Sequence, residues 1–532
     1  MSNLVLSAHE LSFAFPGCPP IFSDINLHLN AEHYALLGRN GAGKSLLLTL
    51  LAGARPSRSG TVNRYQTLCW LPQLAADNPR GMTVGQYLGV QPVLEALLRL
   101  DTGRGSAADV EIIGEQWLLE ETLAKRFVEF ALPPDCLQQS LATLSGGQRT
   151  RLALLRLAPS PDSFLLLDEP TNHLDQRGRV WLQEWLLAHP GGSLTISHNQ
   201  DFIRRYNHIF ELRSGTLFSY GGGLADFEAQ RENSIASAQA ELKHARLTIR
   251  KERELCQQEK ERQAHRQNQG RARAQRGGTP KVLLGAMKAR SEGTAGKICE
   301  KHQDSLNREQ ERARSAAARL ERFDPLLFSL TSPSTQSGVV LRLDGLCLPY
   351  VQHQPIRLQV RAGQRWRIRG PNGSGKTLLL QVLMGKLSAA AGQFQLKGHI
   401  ALLDQHLSLL DEKSSALDNF QRLNPGWTQQ AYRDRLAQIR LRRDRALLPI
   451  RSLSGGERLK VALATLTMGP RIADILLLDE PDNHLDLESQ NLLADTLRAY
   501  TGTIIMVTHS DAFAEAIGFD EHLTLDQGTS TS

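Results

Sequence analysis

One octapeptide pattern occurs twice, 332 residues apart, and it constrains the fold more than any other feature of the chain: Gly38-Arg39-Asn40-Gly41-Ala42-Gly43-Lys44-Ser45 and Gly370-Pro371-Asn372-Gly373-Ser374-Gly375-Lys376-Thr377. Each copy follows a short strand-like run (Tyr34 to Leu37; Trp366 to Ile368) and precedes a leucine-rich segment that reads as a helix. A strand, Gly-x4-Gly-Lys-Ser/Thr and a helix together make a phosphate-binding loop. The glycines let successive backbone N–H groups curl around a polyphosphate, and the helix N-terminus adds a favourable potential for an anion. Lys44 and Lys376 are placed to reach the β- and γ-phosphates, and Ser45 and Thr377 to offer a hydroxyl to Mg²⁺.

More than the loop recurs. Gln73 and Gln405, each ending an apolar strand, are also 332 apart. Leu144-Ser145-Gly146-Gly147-Gln148 and Leu453-Ser454-Gly455-Gly456-Glu457 open helices 309 apart, while Asp168 and Asp479, Asp175 and Asp486, and His198 and His509 are each 311 apart. Two near-copies of one unit follow, differing mainly by an insertion that the sequence places at about 92–127. The expected fold is α/β: a first phosphate-loop domain over 1–226, a helical linker over 227–330 and a second domain over 331–532. Both repeats carry a buried strand ending in Asp-Glu. Asp168 and Asp479 suit Mg²⁺, and Glu169 and Glu480 suit the orientation and deprotonation of an attacking water. His198 and His509 end strands within the same series, where they suit a hydrogen bond to a γ-phosphate.

The middle of the chain differs in kind. Residues 231–325 carry 22 Lys+Arg against 13 Asp+Glu, a local +9 within a chain of net charge +7. Glu232 to about Gln267 and about Lys297 to Phe323 read as two long polar helices flanking a glycine-broken tip. Arg262, Arg266, Arg271, Arg273, Arg276, Lys281, Lys288 and Arg290 line that tip with no acid between them. A cationic projection between near-neutral halves points to a polyanionic partner. The 41% apolar content is ample for packed cores, yet no run of eighteen apolar residues occurs. Six scattered cysteines without a Cys-x-x-Cys argue against zinc, iron–sulfur or disulfide frameworks and fit a reducing cytoplasm.

In combination and order, phosphate loop, Gln, Leu-Ser-Gly-Gly, Leu-Leu-Leu-Asp-Glu-Pro, His-Leu-Asp and terminal His resemble the ATP-binding cassette (ABC) ATPases. Glu169-Pro170-Thr171-Asn172-His173-Leu174-Asp175, the tandem arrangement and the basic linker resemble the F subfamily of that superfamily. The resemblance implies an intramolecular, head-to-tail cassette pair in a monomeric chain, closing on two ATP molecules with Mg²⁺. One site combines Gly38–Ser45, Gln73, Asp168, Glu169 and His198 with Ser454, Gly455 and Gly456. The other combines Gly370–Thr377, Gln405, Asp479, Glu480 and His509 with Ser145, Gly146 and Gly147. It also implies Phe15 and Tyr350 stacking on adenine, Asp175 and Asp486 at the cassette interface, and binding to the ribosome near the tRNA exit site. There the linker would approach rRNA and peptidyl-tRNA, as clustered Lys/Arg suit. Some members carry a stalk-contacting arm at the place of the 92–127 insertion, which here is short. The sequence departs from the family pattern at Asp482, where the first repeat has Thr171. Two other readings stand beside this one: a tandem subunit docking on a membrane permease, and a DNA-associated ABC ATPase.

Overall fold

The computed structural model describes residues 4–73, 81–157, 160–172, 174–275, 304–316, 338–351, 353–404, 407–439, 441, 443–453, 455–469, 472–483 and 485–525. The chain divides into two compact units, 1–224 with 326–532, and 225–325.

In the first repeat β1 (Leu4–Ala14), β2 (Pro20–Asn30) and β3 (His33–Leu37) lead to α1 (Lys44–Ala52), then β4 (Ser59–Arg64) and β5 (Leu68–Leu71). Alternating burial along β2 from Ile25 to Asn30 reflects one face on the core, whereas Val5 to Ala8 of β1 are buried without alternation. β1 carries a positive φ at Glu10 (49°) with register shifts against both neighbours. That bulge lets one strand pair with β2 and β4 in an antiparallel sheet ordered β2-β1-β4.

After β5 come α2 (Val84–Leu88), α3 (Gln91–Asp101), α4 (Ala107–Ile113) and α5 (Leu119–Glu129), then α6 (Gly146–Leu157) and β6 (Phe164–Asp168). Next are α7 (Gln176–Leu187), β7 (Ser193–Ile196), α8 (Gln200–Ile203), β8 (His208–Arg213) and β9 (Thr216–Gly221). The main sheet runs β5-β6-β7-β3-β8-β9, parallel from β5 to β8 with β9 antiparallel at the edge. Phe164 to Asp168 is buried throughout, as expected of a central parallel strand covered on both faces.

The insertion consists of α3, α4 and α5. Val93, Ala96 and Ile113 form its small core. Its charge anchor is Asp109, which accepts from Arg99 Nε at 2.9 Å and from the backbone N–H of Ser106 at 2.8 Å, closing the N-terminus of α4. The hydrogen bonds from Arg99 and Ser106 hold the Asp109 carboxyl well below its usual range, at about 2. A depressed folded-state value means that this contribution is complete above the ordinary aspartate range and is lost as pH falls from about 4 through about 2. Hydrogen exchange over residues 91–113 should therefore retain protection at about pH 4 and lose it toward pH 2, and Arg99→Ala should lose it earlier. Equal acid sensitivity in both proteins would show that the pair does not anchor the insertion.

The second unit contains α9 (Gly223–Gln275) and α10 (304–316). The helix continues through Gly270, beyond the expected end at about Gln267, because one glycine costs only about 1 kcal/mol in so long a helix. Ala238 and Ala245, one heptad apart, are buried, and at the next heptad position Glu252 accepts from the Ser305 hydroxyl of α10 at 3.4 Å.

The second repeat begins with β10 (Val339–Cys347), β11 (Ile356–Arg361), β12 (Arg365–Arg369), α11 (Lys376–Leu383), β13 (Ala391–Leu396) and β14 (Ile400–Leu403). It continues through α12 (Ala416–Leu423), α13 (Gln429–Gln438), α14 (Gly455–Thr467), β15 (Ile475–Asp479), α15 (Leu487–Ala499), β16 (Thr503–Val507), α16 (Asp511–Ile517) and β17 (Glu521–Thr524). Its sheets, β11-β10-β13 and the all-parallel β14-β15-β16-β12-β17, repeat the first design.

Candidate functional site

Parallel pairing explains how residues far apart in sequence meet. β6, β7 and β3 are neighbours pointing the same way, so Asp168, His198 and the loop before α1 all emerge at one sheet edge. β15, β16 and β12 do the same for Asp479, His509 and the second loop.

Each loop is held from beneath by its own lysine. Lys44 Nζ donates to the carbonyls of Gly38 (2.7 Å) and Arg39 (3.1 Å), and Lys376 Nζ to those of Gly370 (2.9 Å) and Pro371 (2.8 Å). Both lysines are buried, and that burial lowers their pKa values against the opposing pull of nearby carboxylates, Glu169 and Glu480 foremost. Gly38 and Gly370 cannot be exchanged. Their φ angles are 150° and 153°, and a Cβ would lie 2.5 Å from Leu212 O and 2.4 Å from Leu525 O. The remaining loop residues, Asn40, Gly41, Ala42 and Gly43 and their counterparts Asn372, Gly373, Ser374 and Gly375, run directly into α1 and α11.

The carboxylate pairs follow. Asp168 is 5% exposed, and its Oδ1 has no hydrogen-bond partner among the described residues. Burial raises its pKa, with the Ser45 hydroxyl and Lys44 opposing. Thr377 Oγ1 donates to Asp479 Oδ1 at 3.3 Å, and burial likewise raises Asp479. Glu169 and Glu480 both adopt left-handed backbone angles, φ 49° and 45°, a strained conformation for glutamate. Both kinks are pinned by backbone bonds, Glu169 N to Ile196 O and Glu480 N to Val507 O, each 3.0 Å. The kink sets Glu169 Oε1 3.3 Å from His198 Nε2, and Glu480 Oε1 3.4 Å from His509 Nε2.

The two glutamates differ electrostatically. Burial, with Asp168 adding, drives Glu169 up to about 8 against Lys44. Burial also pushes Glu480 up, but His509, Lys376 and Arg179 together outweigh it and leave its pKa lowered.

Gln73 lies just beyond β5 and lines a small cleft with Thr150, Asp168 and Glu169. Phe15 is exposed and edge-on to the core residue Phe13 at 5.4 Å, and Tyr350 is 91% exposed. Ser145 caps α6 reciprocally: its Oγ accepts from Gln148 N (3.2 Å), and its own N–H donates to Gln148 Oε1 (2.8 Å). Gly146 and Gly147 therefore open α6, as Gly455 and Gly456 open α14. Gln405, Ser454, Arg276, Lys281, Lys288 and Arg290 lie outside the described residues. Arg262, Arg266, Arg271 and Arg273 fall on α9, where Arg262 is exposed.

The two repeats meet across these edges. Asp486 Oδ2 accepts from Asn40 N at 3.0 Å, Glu488 takes both Arg39 Nε (2.6 Å) and Nη2 (2.5 Å), and Gly455 is so close that a Cβ there would lie 3.8 Å from Asn40 Nδ2. In the reverse direction Asp175 Oδ2 accepts from Asn372 N at 3.5 Å. Sequence reasoning gave no sign of a further junction. Asp201 accepts from Ser510 Oγ (3.0 Å), Asp511 N (2.9 Å) and Ala512 N (3.0 Å), so the first repeat caps α16 of the second.

Two phosphate-type loops, each facing the Asp that follows the other repeat's Asp-Glu strand, define a tandem nucleotide-binding protein of head-to-tail design. The family described as ABC transporter matches residues 22–172 and 353–483. The ATP-binding protein Uup of Escherichia coli K12 is 29% identical over 96% of this chain and 79% of its own length. The tylosin resistance ATP-binding protein TlrC of Streptomyces fradiae is 30% identical over 96% of this chain and 95% of its own. The chain belongs to the ABC superfamily of ATP-binding proteins and, with these relatives, to its F subfamily. Among solved structures an RNase-L inhibitor superposes with TM-score 0.52 at 16% identity, covering 97% of this chain and 87% of that one; this likeness bears on the fold. No helix among the described residues is long and apolar enough to cross a membrane.

Proposed function

We propose that this chain is a cytoplasmic ATPase with two composite sites, whose closure on ATP drives binding to the ribosome near the tRNA exit site through the basic linker. The observation that carries the hydrolytic part is the junction at Asn40, where Asp486 and Gly455 of the second cassette meet the loop of the first. In site one the N–H groups of Gly38–Ser45 cradle the phosphates, Lys44 swings from its carbonyls to the β/γ-phosphates, and Ser454, Gly455 and Gly456 cover them. Glu169 orients and deprotonates the attacking water, with His198 on the γ-phosphate and Gln73 beside the water. Site two uses Gly370–Thr377, Gln405, Asp479, Glu480 and His509 under Ser145, Gly146 and Gly147. Phe15 and Tyr350, both exposed, take the adenines.

The residues present fit Mg²⁺. No group of three or more His, Cys, Asp or Glu among the described residues could hold a metal alone, but Asp168 Oδ1 is orphaned and Thr377 already meets Asp479. One carboxylate, one hydroxyl and the substrate's phosphates are the usual set for that ion, which would neutralise charge developing on the phosphoryl oxygens.

The ribosomal part rests on membership in the F subfamily and on the cationic linker. Lys243, Arg246 and Arg250 are exposed on α9 and add cationic side chains outside the acid-free stretch. ATP favours the closed, ribosome-bound form and hydrolysis the open form, which requires only that the ligand prefer one state. The test is the double variant Glu169→Gln/Glu480→Gln sedimented with ribosomes. It should co-sediment with ATP and not with ADP, and neutralising Arg262, Arg266, Arg271 and Arg273 should weaken binding about tenfold at physiological salt. Closure on ATP without co-sedimentation at any salt would sink the ribosomal reading. Recovery of a membrane permease or preferential binding to duplex DNA would then identify one of the two other readings.

A further inference from the structure

The internal repeat supplies its own control for the two cassette junctions. At the first, the contact has two adjoining parts. Asn40 N donates to Asp486 Oδ2 at 3.0 Å, and the preceding residue, Arg39, donates from Nε (2.6 Å) and Nη2 (2.5 Å) to the two carboxylate oxygens of Glu488. Paired bonds from a planar guanidinium fix orientation as well as distance. Both partners are held from behind. Lys44 Nζ donates to the Arg39 carbonyl at 3.1 Å. Glu488 lies in the first turn of α15, which Asp486 caps through the N–H of Ser489 at 2.9 Å. A Cβ on Gly456 would lie 2.5 Å from Ser489 Oγ, so the opening of α14 rests on that same turn. Holding Glu488 thereby holds Gly455 and Gly456 against the first loop.

The second junction cannot make this contact. The counterpart of Arg39, 332 residues on, is Pro371, which has no side-chain donor, and that of Glu488, 311 residues back, is Arg177, which cannot accept. The aspartate contact is also longer there, 3.5 Å from Asn372 N to Asp175 Oδ2. Gln176 does reach Asp511 at 2.8 Å, but that bond belongs with those of Asp201 to the start of α16, which adjoin the histidine segments of both sites. We propose that Arg39 and Glu488 form a trans-cassette latch on site one, so that site one retains its nucleotide while site two opens and exchanges. This rests on the reading of the two loops as nucleotide sites, and it makes those sites unequal. An ion pair between two side chains forms whether or not a phosphate is bound, so it opposes opening at every stage of the cycle. Side-chain exposures of 54% and 29% leave the pair open to screening by salt. They also bound its strength to about threefold to fivefold in a rate of release.

The experiment uses the full chain with one loop lysine removed at a time: Lys376→Ala leaves site one to bind, and Lys44→Ala leaves site two. The probe is a fluorescent, non-hydrolysable ATP analogue with Mg²⁺, chased with excess ATP. Release from site one should be about threefold to fivefold slower than from site two at low salt, and the difference should shrink as salt rises from about 0.05 to about 0.5 M. Glu488→Gln, a change outside the loop and on the other cassette, should bring site-one release up to the site-two rate and leave site two within about twofold. The exchanged pair Arg39→Glu/Glu488→Arg should restore slow release, a rescue that a merely structural role would not give. Pro371→Arg/Arg177→Glu should slow release from site two by about threefold. Equal release from the two sites before the pair is altered, or an exchanged pair that releases no more slowly than Glu488→Gln, overturns the latch. Failure of either lysine variant to bind the analogue at its remaining loop overturns the reading of that loop as a nucleotide site, and that is seen before the pair is touched.

Discussion

The double variant Lys44→Ala/Lys376→Ala is expected to abolish ATP turnover, lowering kcat/KM by about a thousandfold or more, while leaving the fold intact. Each lysine is buried beneath its loop and, among the described residues, bonded to two loop carbonyls. Those carbonyls belong to a strand-to-helix turn already fixed by the glycine conformations, so their loss of a donor is a local cost of about 1–3 kcal/mol each. On the proposed reading the catalytic cost is larger, because the ammonium would supply positive charge to the transferring phosphoryl group. Nucleotide affinity, measured with a fluorescent ATP analogue, should fall at both sites, and circular dichroism should be unchanged. Retention of turnover within tenfold would mean that neither loop is the phosphate cradle. Loss of secondary structure would mean that the lysines are fold determinants.

The sequence made this site legible because its chemistry sits at strand ends, and strand ends are where periodicity breaks. A buried run closing on Asp-Glu, a run closing on His and a run closing on a glycine loop all become one sheet edge once the strands are parallel. The order of the strands was not readable, yet any parallel order that makes β3, β6 and β7 neighbours gathers the same residues. The linker's helices were legible from composition alone. The extent of α9 was not: Gly270 reads locally as a breaker, while the helix depends on the whole of its length.

Other features escaped because they are relations between distant residues. The left-handed backbone at Glu169 and Glu480 leaves no trace in the residue type, since glutamate does not favour it. What imposes it is the backbone bond from each glutamate to the adjacent strand, β7 or β16. Asp201 reads as an ordinary residue in the first turn of α8, and only the apposition of the two cassettes makes it the cap of α16. Asp482 was visible as a departure from Thr171, but its burial is a property of the fold that the residue type does not announce.

Arg367 shows the same limit and leads to the second large effect. The run Trp366 to Ile368 reads as an apolar strand despite its arginine, and the structure explains how the charge is tolerated. Arg367 is 2% exposed in the middle of β12, where Nη1 donates to Asp511 Oδ1 at 2.7 Å, while Nε and Nη2 donate to the Thr508 carbonyl at 3.3 and 3.2 Å and Nη2 also to Ser510 O at 3.3 Å. These carbonyls bracket His509, and Asp511 in turn accepts from Gln176 of the first cassette at 2.8 Å. Replacing Arg367 by alanine leaves a cavity and two buried carbonyls without their donor, although Asp511 keeps Arg369 at 3.0 Å. Because Asp511 retains that partner, the loss should be nearer 3 than 5 kcal/mol, about 3 kcal/mol in all. For a domain of this size that lowers the unfolding midpoint of the second cassette by roughly 6–12 °C. Arg367→Met, which fills the volume but donates nothing, should recover part of the stability and little of the turnover at site two, because the Thr508 and Ser510 carbonyls on either side of His509 still lack their donor. A midpoint and a site-two kcat both unchanged in Arg367→Ala would mean that β16 and its following loop hold His509 without help from β12.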